Sequence, residues 1–443
     1  MEKLNIAIVG SGIAGLSAAW LLSRRHRVTL YEADNHIGGH ANTVNVDMPD
    51  GRIAVDTGFI VYNERNYPNL TALFRHLGVA TEATEMSFAL SLNAGEYEYA
   101  GSGAKGFFGQ WRNLARPDHW RLMMDISRFF KTARSRVDCY PAAITLGTFL
   151  KREGYSDVFV HDHIIPMGAA IWSTAMSGIL TFPARRFIDF YANHGMLQFR
   201  RRPAWRTVTG GSRQYVELLV ADGGFEVQRN NPARRVVRHQ TYTHIADGRG
   251  GVRLFDHVVI ATHADQAIKL LDDADPLEEK LLGAFHYQTN RAILHRDRRW
   301  MPRRRRLWSS WNYLKRRNGV EDSLCMTYWM NRLQNLKTQT DLFLTLNPDP
   351  AGEIHPKAIE AAFTYHHPVF SASAIAAQKS LWAIQGARRT WFCGSYFGYG
   401  FHEDGAQSGL AVAEQLGQLR RPWQVIGESD RIHHPDPAAE AAE

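Results

Sequence analysis

The stretch Asn5–Leu22, "NIAIVGSGIAGLSAAWLL", places three glycines directly after an apolar run. The branched apolar residues before the glycines predict a buried parallel strand, and the residues after them predict a helix. Gly10 permits a tight turn, Gly12 lets the backbone approach a pyrophosphate, and Gly15 lets helix and strand pack closely. The helix N-terminus then faces an anion. This stretch therefore predicts a dinucleotide-binding turn.

A second strand and an acidic residue follow at the spacing that such a turn requires. The run Val28–Glu32, "VTLYE", is a second buried strand, and Glu32 ends it, about twenty positions after the first glycine. A carboxylate there accepts hydrogen bonds from ribose hydroxyls and repels a 2′-phosphate. Glycines alone are a weak signal, but strand, glycines, helix, strand and acid in this order favour a nucleotide site over a glycine-tolerant core helix.

The composition is that of a globular protein with room for two or three domains, at 443 residues. Its three cysteines are far apart and predict neither a disulfide framework nor a metal site. Without a visible signal peptide or membrane-length apolar run, we expect a cytoplasmic protein, soluble or peripheral to the inner face of the membrane. The net charge of +8 is concentrated in arginine runs such as Arg303–Arg306. Such runs fit a solvated surface or an anionic membrane, and no nucleic-acid partner is expected because no such module is recognisable.

Strand, turn and helix patterns recur at the start, middle and end of the chain, with helical or aromatic-rich stretches between them. This predicts an α/β protein with a discontinuous Rossmann-like nucleotide-binding domain and an inserted α+β substrate domain. The nucleotide-binding domain is predicted over 1–85, 205–275 and 385–420, and the substrate domain over 86–204 and 276–384. The polar end of the chain, 421–443, is expected to be poorly ordered.

Two further motifs resemble one superfamily of flavoproteins. The segment "EADNHIGGHANT" carries Gly38 and Gly39 soon after the acid. With the opening turn, it resembles the flavin-containing amine oxidase superfamily, which includes phytoene desaturases and protoporphyrinogen oxidases. In that superfamily the Gly-Gly loop approaches the FAD pyrophosphate and is usually followed by Arg, where this chain has His40, which still offers a hydrogen bond. The segment "WFCGSYFGYGFHEDGAQSGLAVAEQL" resembles the last FAD motif, whose helix N-terminus faces the flavin ring.

The resemblance implies non-covalent FAD, because Cys393 does not match the flavin-linking cysteine of the superfamily. The segment "DHVVIATHADQ" resembles the second strand and turn, and "NNPARRV" would present Ala233 to adenine. The residues expected to bind FAD are Gly10, Gly12, Ile13, Ala14, Gly15, Glu32, Ala33, Gly38, Gly39, His40, Asp56, Gly58, Ala233, Ala261, Thr262, Gly394, Asp404, Gly405 and Ala406. No metal site is expected, because the adjacent His366 and His367 seldom point at one ion.

Several segments, among them "IPMGAAIWS", "WRTVTGGSRQYV" and "GYGFHEDG", resemble a bacterial group of NAD/FAD-binding, amine-oxidase-like proteins associated with cyclopropane or methyl-branched fatty acid synthesis. This resemblance implies a fatty-acyl or similar apolar substrate that is oxidised, desaturated or isomerised by hydride transfer to flavin N5. It also implies a lipid methyltransferase as partner. Two alternatives stay open: an oxidase of a small amine or other small polar substrate, and a non-catalytic accessory flavoprotein of the methyltransferase.

Aromatic residues supply two further expectations. One set is expected to line an apolar tunnel: Trp172, Trp308, Trp311, Tyr328, Trp329, Tyr396 and Phe397. A second set, mixed with basic residues, forms either a membrane-interfacial patch or the core of a helical domain: Phe107, Phe108, Trp111, Trp120, Phe129 and Phe130.

Three residues are candidates for catalysis. Members of the superfamily often place a lysine near flavin N5, but the best-matching strand here, "NRAILHRD", has His295 at about that point. His295 is a candidate for relaying a proton or holding a water, or else a structural residue. His402 and Glu403 lie in the loop beside the expected flavin and are candidate acids or bases. Glu403 alternatively caps the helix that follows it.

Overall fold

The computed structural model of the protein describes residues 2–172, 176–198, 202–315, 325–348 and 353–434. The strands are β1 (Asn5–Val9), β2 (Arg27–Tyr31), β3 (Thr43–Met48), β4 (Gly51–Asp56), β5 (Tyr62–Asn63), β6 (Thr81–Thr84), β7 (Phe88–Leu92), β8 (Tyr97–Ala100), β9 (Trp205–Val208), β10 (Glu226–Gln228), β11 (Ala233–Arg238), β12 (Thr243–Asp247), β13 (Val252–Phe255), β14 (His257–Ile260), β15 (His286–His295), β16 (Trp311–Lys315), β17 (Met326–Trp329), β18 (Phe343–Leu346), β19 (Ile359–Val369) and β20 (Thr390–Phe392). The helices are α1 (Ile13–Leu22), α2 (Pro68–Leu77), α3 (Ala104–Phe107), α4 (Pro117–Val137), α5 (Leu146–Arg152), α6 (Asp157–Phe159), α7 (Ile165–Trp172), α8 (Met176–Thr181), α9 (Ala184–Asn193), α10 (Arg213–Gly223), α11 (Ala264–Leu270), α12 (Pro276–Leu282), α13 (Met330–Leu333), α14 (Ala372–Gln378) and α15 (His402–Gly417). Within these ranges, no helix has both the length and the apolar character to cross a membrane.

The first sheet is parallel throughout, in the order β10-β2-β1-β14-β20. Its central strands are almost entirely buried, as their Ile and Val content requires. Strand β20, from near the end of the chain, pairs with β14 from the middle, so distant segments close one sheet. The turn after β1 consequently lies at the carboxyl edge of the sheet, where open parallel sheets bind their ligands.

Helices α1 and α15 pack against one another at glycines. A Cβ on Gly409 would lie 2.2 Å from the carbonyl oxygen of Ala14, and a Cβ on Gly405 would lie 2.7 Å from a side-chain methyl of Ile13. Within the glycine turn, a Cβ on Gly15 would lie 2.0 Å from the Gly10 carbonyl oxygen. These glycines therefore let the last helix approach the first closely enough to hold its N-terminal end.

The second large sheet has seven strands, in the order β19-β15-β18-β17-β16-β7-β8. Its neighbours are antiparallel except for β16 and β7, which are parallel. Helix α4 buries Leu122, Ile126 and Phe129 in the same apolar cluster as Tyr328 and Leu344 of the sheet. The remaining strands form the hairpin β3-β4 and the three-stranded sheets β11-β12-β13 and β5-β9-β6.

Two parts of the chain pack differently from the ranges expected for the two domains. Helices α12 and α14 bury Leu281, Ala374 and Ala377 in the cluster around the parallel sheet. Val46 and Val55 of the β3-β4 hairpin lie instead in the cluster of the second sheet. Each apolar cluster therefore includes segments from the range expected for the other domain. A cavity lies between the two clusters and is lined by residues of both.

Residues 421–434 are packed against the parallel-sheet half, in contrast to the poorly ordered end that their polar composition predicts. The Arg421 side chain is fully buried and pairs with Glu414. The Trp423 ring stacks on Trp20 with a centroid separation of 5.6 Å, and Ile432 is buried. The prediction from the polar composition is wrong for these residues, because buried ion pairs, and not apolar burial alone, anchor this segment. The rest of the predicted tail, 435–443, is outside the described residues.

Candidate active site

One cavity of about 940 Å³ connects the two halves of the molecule. At one end its wall consists of the loops that follow β1, β2 and β14. At the other end it consists of β16 to β19 and helices α7 and α9. A ligand held on the parallel sheet would therefore reach into the second half of the protein.

The glycine turn has the geometry of a phosphate site. Gly10 has a φ of +103°, and a Cβ there would lie 2.9 Å from the Ala261 carbonyl oxygen. At Gly12 no atom lies within 4 Å of an added Cβ, so the space in front of this residue is open. Helix α1 begins immediately behind it at Ile13 and has no acidic residue in its first turn. Its free N–H groups and dipole are thus available to an anion.

Glu32 lies at the end of β2, beside the turn. Its Oε2 accepts a hydrogen bond from the Ser11 N–H at 3.0 Å and another from the Ser11 hydroxyl. Its Oε1 accepts one from the Asp34 N–H at 2.9 Å. Ala33 and Ala233 line the same end of the cavity. This is the arrangement expected where a ribose and an adenine lie against a dinucleotide turn.

The Gly38–Gly39 pair brings His40 over the turn. Both glycines have positive φ, +126° and +57°, and a Cβ on Gly39 would lie 3.1 Å from the Gly12 Cα. The His40 ring lines the cavity, and its Nε2 is buried without a hydrogen-bond partner among the described residues. Burial, followed by the nearby His263 and His366, lowers the pKa of His40 to about 4. His40 thus presents a neutral imidazole with a spare hydrogen-bonding atom to the cavity.

Further histidines surround His40. The His40 ring centroid is 6.4 Å from that of His263 and 5.3 Å from that of His367, and all of them line the cavity with His366. Burial and the neighbouring imidazoles lower the pKa of His263 to about 4 and that of His367 to about 3. No pattern in the sequence brings these four histidines together, although His366 and His367 are adjacent and His263 directly follows the predicted turn residue Thr262.

His402 is the predicted catalytic residue that the structure places in the cavity. Its ring stacks on Phe59 with a centroid separation of 3.8 Å, and its Nε2 is 3.2 Å from the Tyr215 hydroxyl. Burial, with the nearby His40, lowers the pKa of His402 to about 3. Its imidazole is therefore neutral at physiological pH and a weak base. Phe59 and Tyr215, which position it, carry no signal in the sequence that marks them.

Glu403 is fully buried and does not line the cavity. Its carboxylate accepts hydrogen bonds from the backbone N–H groups of Asn69 and Leu70, both at 3.0 Å, and from the Asn69 side chain at 2.8 Å. Glu403 therefore caps helix α2, and not its own helix as the sequence suggested. Burial raises the pKa of Glu403 above its usual range.

His295 is also placed away from the cavity. It is fully buried, its Nδ1 accepts a hydrogen bond from the Asp297 N–H at 3.1 Å, and its Nε2 is 2.7 Å from the Thr345 hydroxyl. Accepting at Nδ1 puts the proton on Nε2, which donates to Thr345. Both ring nitrogens are thus used within the second sheet, and the geometry corrects the expectation of a role at the flavin.

Several residues predicted to bind the cofactor support the cavity from behind. Asp56 is buried outside it, where its carboxylate accepts from the Ser212 N–H at 2.9 Å and the Gln334 side chain at 2.7 Å. Burial raises the pKa of Asp56 to about 6. The other predicted residues that do not line the cavity are Gly15, Gly38, Asp404, Gly405 and Ala406. The predicted residues that do line it are Gly10, Gly12, Ile13, Ala14, Glu32, Ala33, Gly39, His40, Gly58, Ala233, Ala261, Thr262 and Gly394.

The inner end of the cavity is mainly apolar and aromatic, with His163, His194 and Arg202 as polar residues of its lining. Four of the seven aromatics predicted for a tunnel line the cavity: Trp172, Trp311, Tyr328 and Tyr396. The others, Trp308, Trp329 and Phe397, lie outside the wall. In the part of the chain that the structure describes, the acidic residues that line the cavity are Glu32 and Asp34, both at the ribose end.

These features fit FAD. The open face of Gly12 fits a pyrophosphate, Glu32 fits a ribose, and the unpartnered Nε2 of His40 can donate a hydrogen bond to a phosphate oxygen of the cofactor. The cavity continues from this cradle to an apolar inner wall, which is where a flavin ring would meet a substrate. The fold and the site define a two-domain, FAD-binding oxidoreductase.

The family model for flavin-containing amine oxidoreductases matches residues 13–344. The chain belongs to this family, whose members are FAD-dependent oxidoreductases. It also resembles solved structures along almost its whole length, each time covering 94% of this chain. These are a CLA-producing fatty acid isomerase from P. acnes (TM-score 0.66, 16% identity, 98% of that chain), putrescine oxidase (0.67, 14%, 99%) and cyclohexylamine oxidase from Brevibacterium oxydans IH-35A (0.63, 15%, 100%).

Two curated proteins match over short segments. A carotenoid phi-ring synthase from Streptomyces griseus is 40% identical over 74 residues, which is 16% of this chain and 14% of that protein. An L-amino-acid oxidase from Bungarus fasciatus is 52% identical over 40 residues, 9% of this chain and 8% of that protein. The chain thus spans only a small part of the curated relatives it matches, and these matches do not identify a substrate.

Proposed function

We propose that this protein oxidises or isomerises an apolar chain, a fatty-acyl group that is free or carried in a lipid, with FAD as the redox cofactor. The observation that carries the proposal is the inner wall of the cavity, to which Phe88, Ile171 and Leu344 contribute. Among the described residues no carboxylate lines this end. A protonated amine would leave water for this wall without a counter-charge, which is strongly unfavourable.

Two buried donors on the same wall favour a substrate that carries acceptor oxygens. Trp172 Nε1 and the Tyr191 hydroxyl have no hydrogen-bond partner among the described residues. Burial raises the pKa of Tyr191 well above its usual range, so its hydroxyl keeps its proton. An acyl carbonyl or carboxylate supplies the missing acceptor, whereas an ammonium group supplies only more donors.

When bound, FAD would supply two-electron redox chemistry at a substrate C–H bond, with the electron pair passed on to dioxygen or another acceptor for an oxidation, or returned to a different carbon for a double-bond isomerisation. The chain contributes a dry apolar wall that holds the acyl chain and excludes water. Desaturation also releases a proton, and His402, by its position in the cavity, is the candidate for carrying that proton away from the substrate.

An aromatic cluster favours the second candidate, a small-amine oxidase. Phe190 stacks on Phe401 with a centroid separation of 5.3 Å and lies 6.2 Å from Tyr399, and all three line the cavity. Aromatic faces attract cations. The solved relatives act on both kinds of substrate, since they include a fatty acid isomerase and putrescine oxidase, so the fold alone is neutral between the two. The missing carboxylate at the inner wall is our reason for preferring the acyl chain.

Anaerobic reduction of the FAD-loaded protein tests the proposal. The protein is mixed with a monounsaturated fatty acid, with phospholipid vesicles that carry the same chain, and with putrescine or cyclohexylamine. Loss of the flavin's visible absorbance is followed, and the lipid products are analysed so that isomerisation without net reduction is also detected. We expect the acyl substrates to react and the amines to be inert. Reaction with the amines alone would establish the second candidate, and no reaction with either would favour an accessory flavoprotein of a lipid methyltransferase, a partner that remains a prediction.

A matched pair of tyrosines tests the role of the inner wall. Tyr191 and Tyr31 are each 1% exposed and line the same cavity, but Tyr31 lies beside Glu32 at the ribose end. With FAD saturating, Tyr191→Phe should raise KM for the acyl substrate by about five- to tenfold, the worth of one hydrogen bond. Tyr31→Phe should leave KM unchanged. Equal KM values in the two variants would contradict the assignment of Tyr191.

A further inference from the structure

Exposed apolar side chains are concentrated in one short segment. Trp111 is 68% exposed, Leu114 56%, Trp120 45% and Met124 65%. Over the described residues, these make up four of ten large apolar side chains that are exposed. We call them the apolar patch. Its membership differs from that expected from the sequence, because Phe107 and Phe129 are buried.

The patch is a surface of the fold and not a loose loop. Trp111 and Leu114 lie on a single 3-10 turn, Trp111–Ala115, and α4 begins two residues later at Pro117. Trp120 and Met124 are one helical turn apart on α4, on the side away from its buried residues Leu122, Ile126 and Phe129. The Trp120 Nε1–H donates to the Leu114 carbonyl at 3.0 Å, which ties the helix to the turn.

Basic side chains frame the patch. Lys105, Arg112 and Arg121 are exposed, and they take part in none of the ion pairs found among the described residues. The guanidinium of Arg112 lies 5.7 Å from the Trp111 ring centroid. Between 104 and 124 the sequence has one acidic residue, Asp118. Apolar side chains are therefore presented together with uncompensated positive charge.

The patch is close to the cavity. Tyr99 and Gly101 line the cavity wall. Phe107 stacks on Tyr99 with a centroid separation of 5.6 Å, and the neighbouring Phe108 lies 5.2 Å from Trp120. A short succession of aromatic rings thus connects the exposed patch with the inner wall.

We propose that this surface docks the protein on an anionic phospholipid bilayer. Exposed tryptophans sit well at the boundary between headgroups and acyl chains, and lysine and arginine are attracted to the negative surface of the leaflet. The uncompensated basic charge is what favours a bilayer over a second copy of this chain, which carries the same positive charge and would repel it. The inference goes beyond the redox chemistry and does not depend on which substrate is correct.

Vesicle flotation of the FAD-loaded protein tests the proposal. Vesicles of phosphatidylglycerol and phosphatidylcholine are compared with vesicles of phosphatidylcholine alone. We expect binding to the anionic vesicles that weakens as salt rises from about 0.1 M to about 0.5 M. Trp111→Ser with Trp120→Ser should weaken binding at least on the order of tenfold. The triple variant K105Q/R112Q/R121Q should weaken it by about fivefold for each charge removed.

Matched controls separate docking from damage to the fold. Lys280, Lys337 and Lys379 are exposed elsewhere, and K280Q/K337Q/K379Q removes the same net charge. Flavin content and melting temperature show that each variant is folded. Equal loss of vesicle binding in both triple variants would mean that the vesicles respond to the total charge of the protein and not to the patch. Unchanged binding of the tryptophan variant would overturn the proposal that the patch docks on the bilayer. Two results would replace the bilayer with another partner. If light scattering without vesicles shows a dimer that the tryptophan variant loses, the patch binds a second copy of the chain. If the patch binds single-stranded DNA tightly, its partner is a nucleic acid.

Discussion

Replacing Arg421 by glutamine should destabilise the protein far more than the same change at its neighbour Arg420. The Arg421 side chain is 0% exposed, and its guanidinium donates two parallel hydrogen bonds, each 2.8 Å long, to the carboxylate of Glu414. It also donates to Asn69 Oδ1 at 2.8 Å and to the Glu428 carbonyl at 2.9 Å. Arg420 pairs with the same Glu414 at 3.2 Å, but its side chain is 59% exposed.

The expected magnitudes follow from burial. Removing one partner of a buried pair leaves an uncompensated charge and costs about 3–5 kcal/mol, whereas an exposed pair contributes about 0–1 kcal/mol. For the whole chain, an unfolding entropy of roughly 2 cal/mol/K per residue makes each kcal/mol worth about 1 °C. Arg421→Gln should therefore lower Tm by about 3–5 °C, and Arg420→Gln by about 1 °C or less. Arg421→Lys keeps the positive charge but loses the two parallel hydrogen bonds of the guanidinium. Its Tm should therefore lie between those of the Arg421→Gln and Arg420→Gln variants.

Thermal unfolding by circular dichroism, with FAD saturating, measures these differences. The pH dependence gives a second readout. Burial alone would raise the pKa of Glu414, but the hydrogen bonds and charge of Arg421 outweigh burial and hold this pKa below its usual range. A depressed acid pKa contributes stability that is lost as pH falls, so the gap between wild type and Arg421→Gln should narrow below about pH 4.5. Equal Tm values for the Arg420 and Arg421 glutamine variants would refute the reasoning, because the two changes differ mainly in burial.

Three further outcomes are expected. Burial lowers the pKa of His163 and His194 to about 3 and of His295 to about 4, so they stay neutral in the native state while the unfolded chain binds protons below about pH 6.5. These three histidines together should contribute about 4 kcal/mol less stability at pH 5.5 than at pH 7.5, measured by urea unfolding as the difference between the wild type and a variant with all three replaced; equal pH profiles for the two proteins would contradict this. Gly409→Ala should push α15 away from the α1 backbone and lower the free energy of unfolding by about 1–3 kcal/mol. It should also weaken FAD binding, measured by fluorescence titration. An unaltered FAD affinity would show that the contact does not position α1. Glu403→Gln should lower stability by about 1–3 kcal/mol through the start of α2 and leave the pH profile of flavin reduction unaltered, whereas a shifted profile would restore Glu403 as a catalytic acid or base.

The cofactor cradle was predictable because its requirements are local. Gly10 needs positive φ and close packing, and Glu32 must end the next strand, so both leave a trace in residue type and spacing. Family resemblance added the distant C-terminal motif, and the structure places Gly394 in the same cavity as the glycine turn. The parallel sheet and the two-sheet architecture follow from such recurring strand and helix patterns.

The catalytic candidates were less predictable because strand parity and long-range packing decide them. His295 ends β15, and side chains alternate across a strand, so Leu294 joins the cluster beside the cavity while His295 lies against Phe343 on the other face. A displacement of the alignment by one residue exchanges the two faces. Glu403 caps a helix that begins more than 300 residues earlier in the chain, a pairing that no local pattern encodes.

The sequence by itself determined the glycine turn, the acid that follows β2 and the class of fold, since each depends on backbone conformation and on the spacing of neighbouring residues. Only the tertiary structure decided which side chains face the flavin end of the cavity, that its inner wall lacks a carboxylate among the described residues, and that residues 421–434 are anchored by buried ion pairs. The physical reason is that burial, and with it the pKa of a histidine or the strength of an ion pair, depends on what other segments place around a group. That environment does not exist until the chain has folded.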